Sequence, residues 1–505
     1  WGLYHPYLQH RFPDGAEWTR AHQAGTYARI EESWAEHRAY IDDASRRTEA
    51  LLGANLQSLA RGVDFPGRRI VVFNPLPWER SGTVRVDARE VFVKSVPPGG
   101  WTTIPYPPET DAAAPAAAAA PLTLESAHFR LTLAPDRAEV ASLIDKRGGR
   151  ELVRQDAGCG LGGFLYQQFS RRETDRFRDT YTRNRNSGFG KNWLPGPDLM
   201  PRIDARPRGA AWTIIRGADA TVAEARCPAG HGVPFATRLR VTLAHGEPHL
   251  DLETTIEDMP ATPRPEALWL CLPLAVEQPA FRLGRPGGIA DPAADFIRAS
   301  NRHLIALHTG MMVTAPDGRG VGLCSPDAPV VSLDRPGAWE FSRDFVPARP
   351  DVFVHLYNNM WSTNFPMWNS GTWSARVRLW PVSTADPEPA LVTPSLETLH
   401  PLLAATADGP GGDLPATAAG VSLSRKGAPV TAFGPNPDGD GTLIRIWEMA
   451  GQSGEVTVTL PARLGCRTAT PVNLRGEPAG APLPVTGGAF RITLPAYAPA
   501  SFLLD

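Results

Sequence analysis

Three tryptophans and four asparagines crowd the stretch from Val354 to Trp373, VHLYNNMWSTNFPMWNSGTW. Aromatic faces stack on the C–H faces of sugar rings, and an amide both donates to and accepts from hydroxyls. Tyr357, Asn358, Asn359, Trp361, Asn364, Trp368 and Asn369 are therefore read as a carbohydrate-contacting set. A plainer reading makes the aromatics sandwich core and the asparagines turn residues. The set as a whole favours contact with sugar, because each buried amide needs partners and four of them are a costly way to build a turn. Lys191, Asn192 and Trp193, in the polar segment Arg171 to Asp198, form a second group of sugar contacts. That segment reads as a long loop, and long loops on sandwiches often reach into sites.

Other chemistry is weaker. His5, His10 and His22 lack a carboxylate or cysteine at ligand spacing, so no metal ligand is assigned. Cys159, Cys227, Cys271, Cys324 and Cys466 are scattered, odd in number and without a C-x-x-C pair, which argues against a disulfide framework or a zinc knuckle. Asp175, Asp179, Asp198 and Glu253 are among many carboxylates, and spacing singles out no catalytic pair. Tyr357 and His355 would be the acid and base of a sandwich-type lyase or epimerase, but His355 falls in an apolar alternating strand and reads as structural.

The 505 residues suggest roughly three domains. A net charge of -2 with no Lys/Arg-rich run excludes an electrostatic footprint for nucleic acid. No run of about 18 apolar residues is present to span a membrane as a helix. The chain begins at Trp1 without a methionine or a signal-like segment and reads as an excised or processed piece. Few cysteines suit a reducing cytoplasm slightly better than a periplasm, and the compartment stays open. The 47 Gly and 51 Pro point to the many turns of β-sandwiches.

Six units follow in order. From 1 to 62 there is no proline between Pro13 and Pro66, and Ile30, Trp34, Ile41, Ala44, Leu51, Leu52, Leu56 and Leu59 recur at helical spacing. One or two helices packed on a neighbour are expected. A small β domain spans 63–110, opened by Arg68 to Val86, and an Ala/Pro linker spans 111–121. A large β-sandwich occupies 122–385, with a hairpin over Ala236–Leu243 and His249–Glu257 and a doubly buried strand in Ala267–Val276. A Pro/Gly/Ala-rich connection covers 386–419, and a small β-sandwich of short strands covers 420–505.

The phrases VVFNPLPWERSGTV (Val71–Val84), SLIDKRGGREL (Ser142–Leu152), NNMWSTNFPMW (Asn358–Trp368) and LPAYAPASFLL (Leu494–Leu504) resemble, in order, those of glycoside hydrolase family 38, the retaining α-mannosidases. The resemblance runs from Val71 onward, and the helical segment is similar to the family's helical bundle. It implies a mainly β chain: a bundle remnant, a small β domain, a galactose-mutarotase-like supersandwich and a terminal β domain. It also implies that the catalytic barrel, with the nucleophile and most zinc ligands, is missing, so that zinc belongs to the full-length member and this chain needs no cofactor of its own. Mannosides are the implied partner, and self-association to a homo-oligomer is left open. Two rivals are a stand-alone carbohydrate-binding or scaffolding module and, last, a lyase or epimerase on the same sandwich.

Overall fold

The computed structural model describes residues 15–87, 89–107, 116–117, 122–181, 201–359, 366–437 and 439–505. Two helices, Gly15–Gln23 and Ala28–Gly62, lead into an otherwise mainly β chain. The long helix is held at its ends rather than along its length. At its start Ile30 is buried with Trp18, Tyr27, Met367 and Trp368. At its end Ala60 is buried with Val63, Val71 and Trp101, and Leu56 and Leu59 pack on that group. Between these anchors Tyr40, Ile41, Leu51 and Leu52 are 65%, 69%, 65% and 42% exposed. The apolar period seen in the sequence thus has only its ends covered.

The small β domain pairs the strand Arg69–Phe73 with Trp101–Pro105 on one side and Leu403–Ala407 on the other. A hairpin of Arg80–Val86 and Arg89–Val96 closes over it, with Ile70, Val72, Val84, Val93 and Val96 between them. The segment 386–419 therefore contributes two strands to this sheet, Leu403–Ala407 and Thr417–Ala418, and a short helix, Thr393–Leu399. Four of the five residues of its strand LAATA are Ala or Thr, so side-chain alternation gives little sign of it.

The large sandwich sets a ten-stranded antiparallel sheet against a six-stranded and a four-stranded one. Between the layers lies a single apolar core that includes Leu131, Leu143, Leu239, Leu252, Leu270, Leu323, Val354 and Val377. The hairpin pairs Ala236–Ala244 with Leu250–Met259. Every residue of the strand Glu266–Pro273 is buried, as a near-continuous apolar run requires. In the Ala/Pro stretch, Ala116 and Ala117 pair with Ile214 and Thr213 at the sheet's edge; backbone pairing needs no side-chain pattern.

The segment read as a loop from Arg171 begins instead as a helix, Arg171–Tyr181. The cause is local. Glu173 reaches back to cap the helix start, its Oε2 accepting from the Ser170 backbone N–H at 2.7 Å and from the Ser170 hydroxyl. Phe177 then packs edge-on against Trp339 at 5.4 Å. The C-terminal unit is a three-stranded and a five-stranded sheet around Ile444, Val456, Val458, Phe490 and Phe502.

Candidate functional site

The strand Asp351–Asn358 lies beside Glu266–Pro273, with Tyr357 opposite Leu268 and Asn358 opposite Ala267. The chain leaves this strand, re-enters the described residues at Pro366 and pairs again from Gly371 onward. Five of the sequence-selected residues are placed by this return: Tyr357, Asn358, Asn359, Trp368 and Asn369. Trp361 and Asn364, with Lys191, Asn192 and Trp193, lie outside the described residues.

Asn359 is a tie between chain segments. Its amide nitrogen donates to the carbonyls of Arg264 at 2.7 Å and Met367 at 3.0 Å, and its oxygen accepts from the Glu266 backbone N–H at 2.7 Å. These bonds use both amide donors and one acceptor position, leaving little for a ligand. Trp368 is 3% exposed. Its ring meets Trp18, Tyr27 and Trp34 with centroids 5.3, 5.2 and 5.0 Å away, and its N–H donates to Glu31 Oε1 at 2.7 Å. As folded, it closes the joint between helices and sandwich. Asn358 reaches His355, Nδ2 to Nε2, at 3.1 Å. His355 packs 4.6 Å from the Trp269 ring, and burial lowers its pKa to about 4. Tyr357 and Asn369 are half-buried, and Trp373, also half-buried, sits 5.7 Å from the Tyr357 ring.

Beneath them lies a polar centre that the sequence did not reveal. Glu266, fully buried at the head of its strand, accepts a hydrogen bond from the Tyr166 hydroxyl at 2.6 Å. Gln168 Nε2 donates to that same hydroxyl at 2.5 Å. Burial pushes the Glu266 carboxyl up to about 8, against the opposing pull of Tyr166, Tyr357 and Gln168. Its Oε1 and the Tyr357 hydroxyl are both buried without an aligned hydrogen bond, although Tyr357 stands close enough to Glu266 and Asn369 to interact with both. Glu266 stands just before ALWLCLPLAV as one acid among many, and only the fold shows that it is sealed.

The chain is thus a mainly β, multi-sandwich protein carried on an N-terminal helical arm. Residues 428–498 match the glycosyl hydrolases family 38 C-terminal beta sandwich domain. In fold, 96% of the chain superposes on 60% of an alpha-mannosidase from Enterococcus faecalis V583, at TM-score 0.62 and 12% identity. A second protein in glycosyl hydrolase family 38 from Enterococcus faecalis is matched over 90% of this chain and 54% of its own, at TM-score 0.58 and 11% identity. The resemblance to the C-terminal region of family 38 enzymes therefore holds in a stretch of sequence and in the fold. The chain spans about 60% of the length of the first of these relatives. No curated protein sequence matches it.

Zinc, which the resemblance implies for a full-length member, finds no fitting donor set among the described residues. Among the described residues no three His, Cys, Asp or Glu side chains group as ligands. His22 is occupied with Glu31 Oε1 at 2.8 Å and stacks on Trp18 at 4.7 Å.

Proposed function

We propose that this chain is the C-terminal portion of a retaining α-mannosidase-like glycoside hydrolase, whose sandwich adds sugar contacts to a site completed by an N-terminal catalytic barrel. Asn358, Asn364 and Asn369 contact mannoside hydroxyls and Tyr357 and Trp361 offer ring faces to the sugar, while Asn359 and Trp368 fix the chain on either side. Lys191, Asn192 and Trp193 are the second group of sugar contacts in this reading. Glu266 and Tyr166 do not touch sugar; they fix Tyr357 from below.

One observation carries the reading. A helix of 35 residues, Ala28–Gly62, is docked at both ends and leaves Tyr40, Ile41 and Leu51 more than half exposed between them. A contiguous apolar stripe of this kind calls for a covering partner, and the enzyme whose fold the chain follows has about two-fifths of its length beyond the match, as the 60% coverage implies. Retaining glycosidases need two carboxyl groups about 5 Å apart across the scissile bond. Glu266, sealed and protonated near neutral pH, is not offered as either.

Two assays test the reading. Saturation-transfer NMR with mannose and mannobiose should show weak binding that Asn358→Ala diminishes. With an aryl α-mannoside the chain alone should give no hydrolysis. Hydrolysis would move the catalytic groups into this chain, and absence of sugar binding by the folded parent would remove the contact role.

A further inference from the structure

Beyond the sugar-contact region, we propose that Cys159 and Cys271 form an oxidisable thiol pair, closing to a reversible disulfide on exposure to a hydroperoxide, with the Arg206 guanidinium bound to Cys271 as the cation beside the pair. The sequence separates the two cysteines by more than a hundred positions, and the sheet brings them together. Gly163 lies directly opposite Cys271 across the antiparallel ladder, so the two positions share a face. A Cβ built at Gly163 would fall 3.3 Å from Cys159 Cβ, 2.6 Å from Glu139 Oε2 and 3.0 Å from the Gly160 carbonyl. The missing side chain is thus the space into which Cys159 turns, beside Cys271. The two thiols are close enough to share a hydrogen bond.

Arg206 completes the arrangement. Its Nη1 donates to Cys271 Sγ at 3.5 Å and to the Phe164 carbonyl at 3.4 Å. Of the two thiols Cys271 is 1% exposed and Cys159 is half-buried, so the outer one is open to a small oxidant while the inner one is shielded. The neighbouring Cys271 thiol and the charge of Arg206 hold the Cys159 thiol below its usual range, against burial and the nearby carboxylates of Glu139 and Asp351. Cys466, the other half-buried cysteine, is pushed up by burial and by Asp505. A low, accessible thiolate with a second thiol at hand is the arrangement that oxidises to a disulfide rather than further.

The chemistry balances with hydrogen peroxide as oxidant. Cys159 thiolate attacks one peroxide oxygen; the O–O bond breaks, and hydroxide leaves and is protonated to water. The resulting sulfenic acid is attacked at sulfur by Cys271. An S–S bond forms, the S–O bond breaks, and the hydroxyl leaves as a second water with the Cys271 proton. Two thiols lose two electrons and the peroxide gains them.

The test uses the full chain, reduced, desalted and treated with hydrogen peroxide. Thiols are then counted under denaturing conditions and cross-links mapped by mass spectrometry. The expected result is loss of two of the five thiols, a Cys159 to Cys271 cross-link that dithiothreitol reverses, and Cys466 still reduced. In Cys271→Ser, Cys159 should instead proceed to sulfinic acid. As a measurement on the unaltered fold, the iodoacetamide rate at Cys159 should rise with a midpoint about a pH unit or more below that of Cys466. Sulfinic acid at Cys159 of the parent with Cys271 still reduced, or Cys466 oxidising first, would overturn the proposal.

Discussion

Trp368 donates its indole N–H to Glu31 Oε1 at 2.7 Å across 337 residues of sequence, and His22 Nε2 lies 2.8 Å from the same oxygen. A residue read as a sugar contact in the sequence is thereby the pin between helical arm and sandwich. Trp368→Ala should destabilise by about 3–5 kcal/mol, the range for emptying a large aromatic site. Glu31→Gln, which keeps shape and an acceptor, should cost about 1 kcal/mol. Denaturant unfolding reads both, and equal effects of the two changes would mean that packing around Trp368 contributes nothing beyond the hydrogen bond.

Glu266 makes stability depend on pH in a defined window. Its folded pKa, about 8, lies above the unfolded value of about 4.3. Between these values the folded state holds a proton that the unfolded state has released. This term therefore loses about 1.4 kcal/mol per pH unit as pH rises through the window, and levels off above pH 8. Glu266→Gln removes the ionisation and keeps an oxygen for Tyr166. The variant should match the parent near pH 5 and exceed it increasingly up to pH 8 in urea unfolding. Parallel pH curves would show that Glu266 is ionised in the folded protein.

His355 gives the opposite sign. Burial lowers its pKa to about 4, against about 6.5 unfolded. Its neutral form stabilises fully above pH 6.5, and that contribution is lost as pH falls from 6.5 towards 4. His355→Gln should flatten the parent's decline over that interval while leaving the curve above pH 7 parallel. An unchanged acid limb would mean that His355 is free to take up a proton in place.

The sheets were legible in the sequence wherever one face is buried, because period two then shows in side chains: Ala236–Ala244 and Leu250–Met259 read directly. Ala116–Ala117 and Leu403–Ala407 did not, since backbone pairing of small residues leaves no pattern. The helix at Arg171 was missed for a different reason. Its signal is the Ser170 to Glu173 cap rather than an apolar stripe. In the candidate site, residue types suggested surface chemistry for Asn359 and Trp368, whereas tertiary partners hundreds of positions away or on another strand consume their polar atoms. Glu266 could not be singled out, because burial of a carboxyl is a property of the assembled sheet.

Arg69 gives a prediction about how the helix ends. Fully buried, its guanidinium donates to the carbonyls of Ala60 at 3.0 Å, Phe65 at 2.9 Å and Gly409 at 3.0 Å. It thereby satisfies a carbonyl in the last helical turn, favourably placed against the helix dipole, and joins three chain segments. Arg69→Met keeps the stem but strands those carbonyls, and should cost about 2–4 kcal/mol. Arg69→Lys, with three donors on one nitrogen, should recover only part. Hydrogen exchange at the amides following Leu56 should quicken in Arg69→Met; unchanged protection there would mean that Val63 and Trp101 alone hold the helix end.

The exposed stripe of the long helix predicts behaviour in solution. Ile41 and Leu51, 69% and 65% exposed, cannot both stay wetted at high concentration without favouring contact between stripes, at roughly 25 cal/mol for each Å² of apolar surface covered. The chain should therefore associate with rising concentration in sedimentation velocity, and Ile41→Glu with Leu51→Glu should abolish this. Their effect on folding should be small, since neither side chain belongs to a buried cluster. Sugar binding near Asn358 should survive the double change, because the stripe and the sandwich rim are separate surfaces. If association persists unchanged, the covering partner of this helix is not recruited through its apolar face, and the argument for a domain that packs on it falls with the stripe.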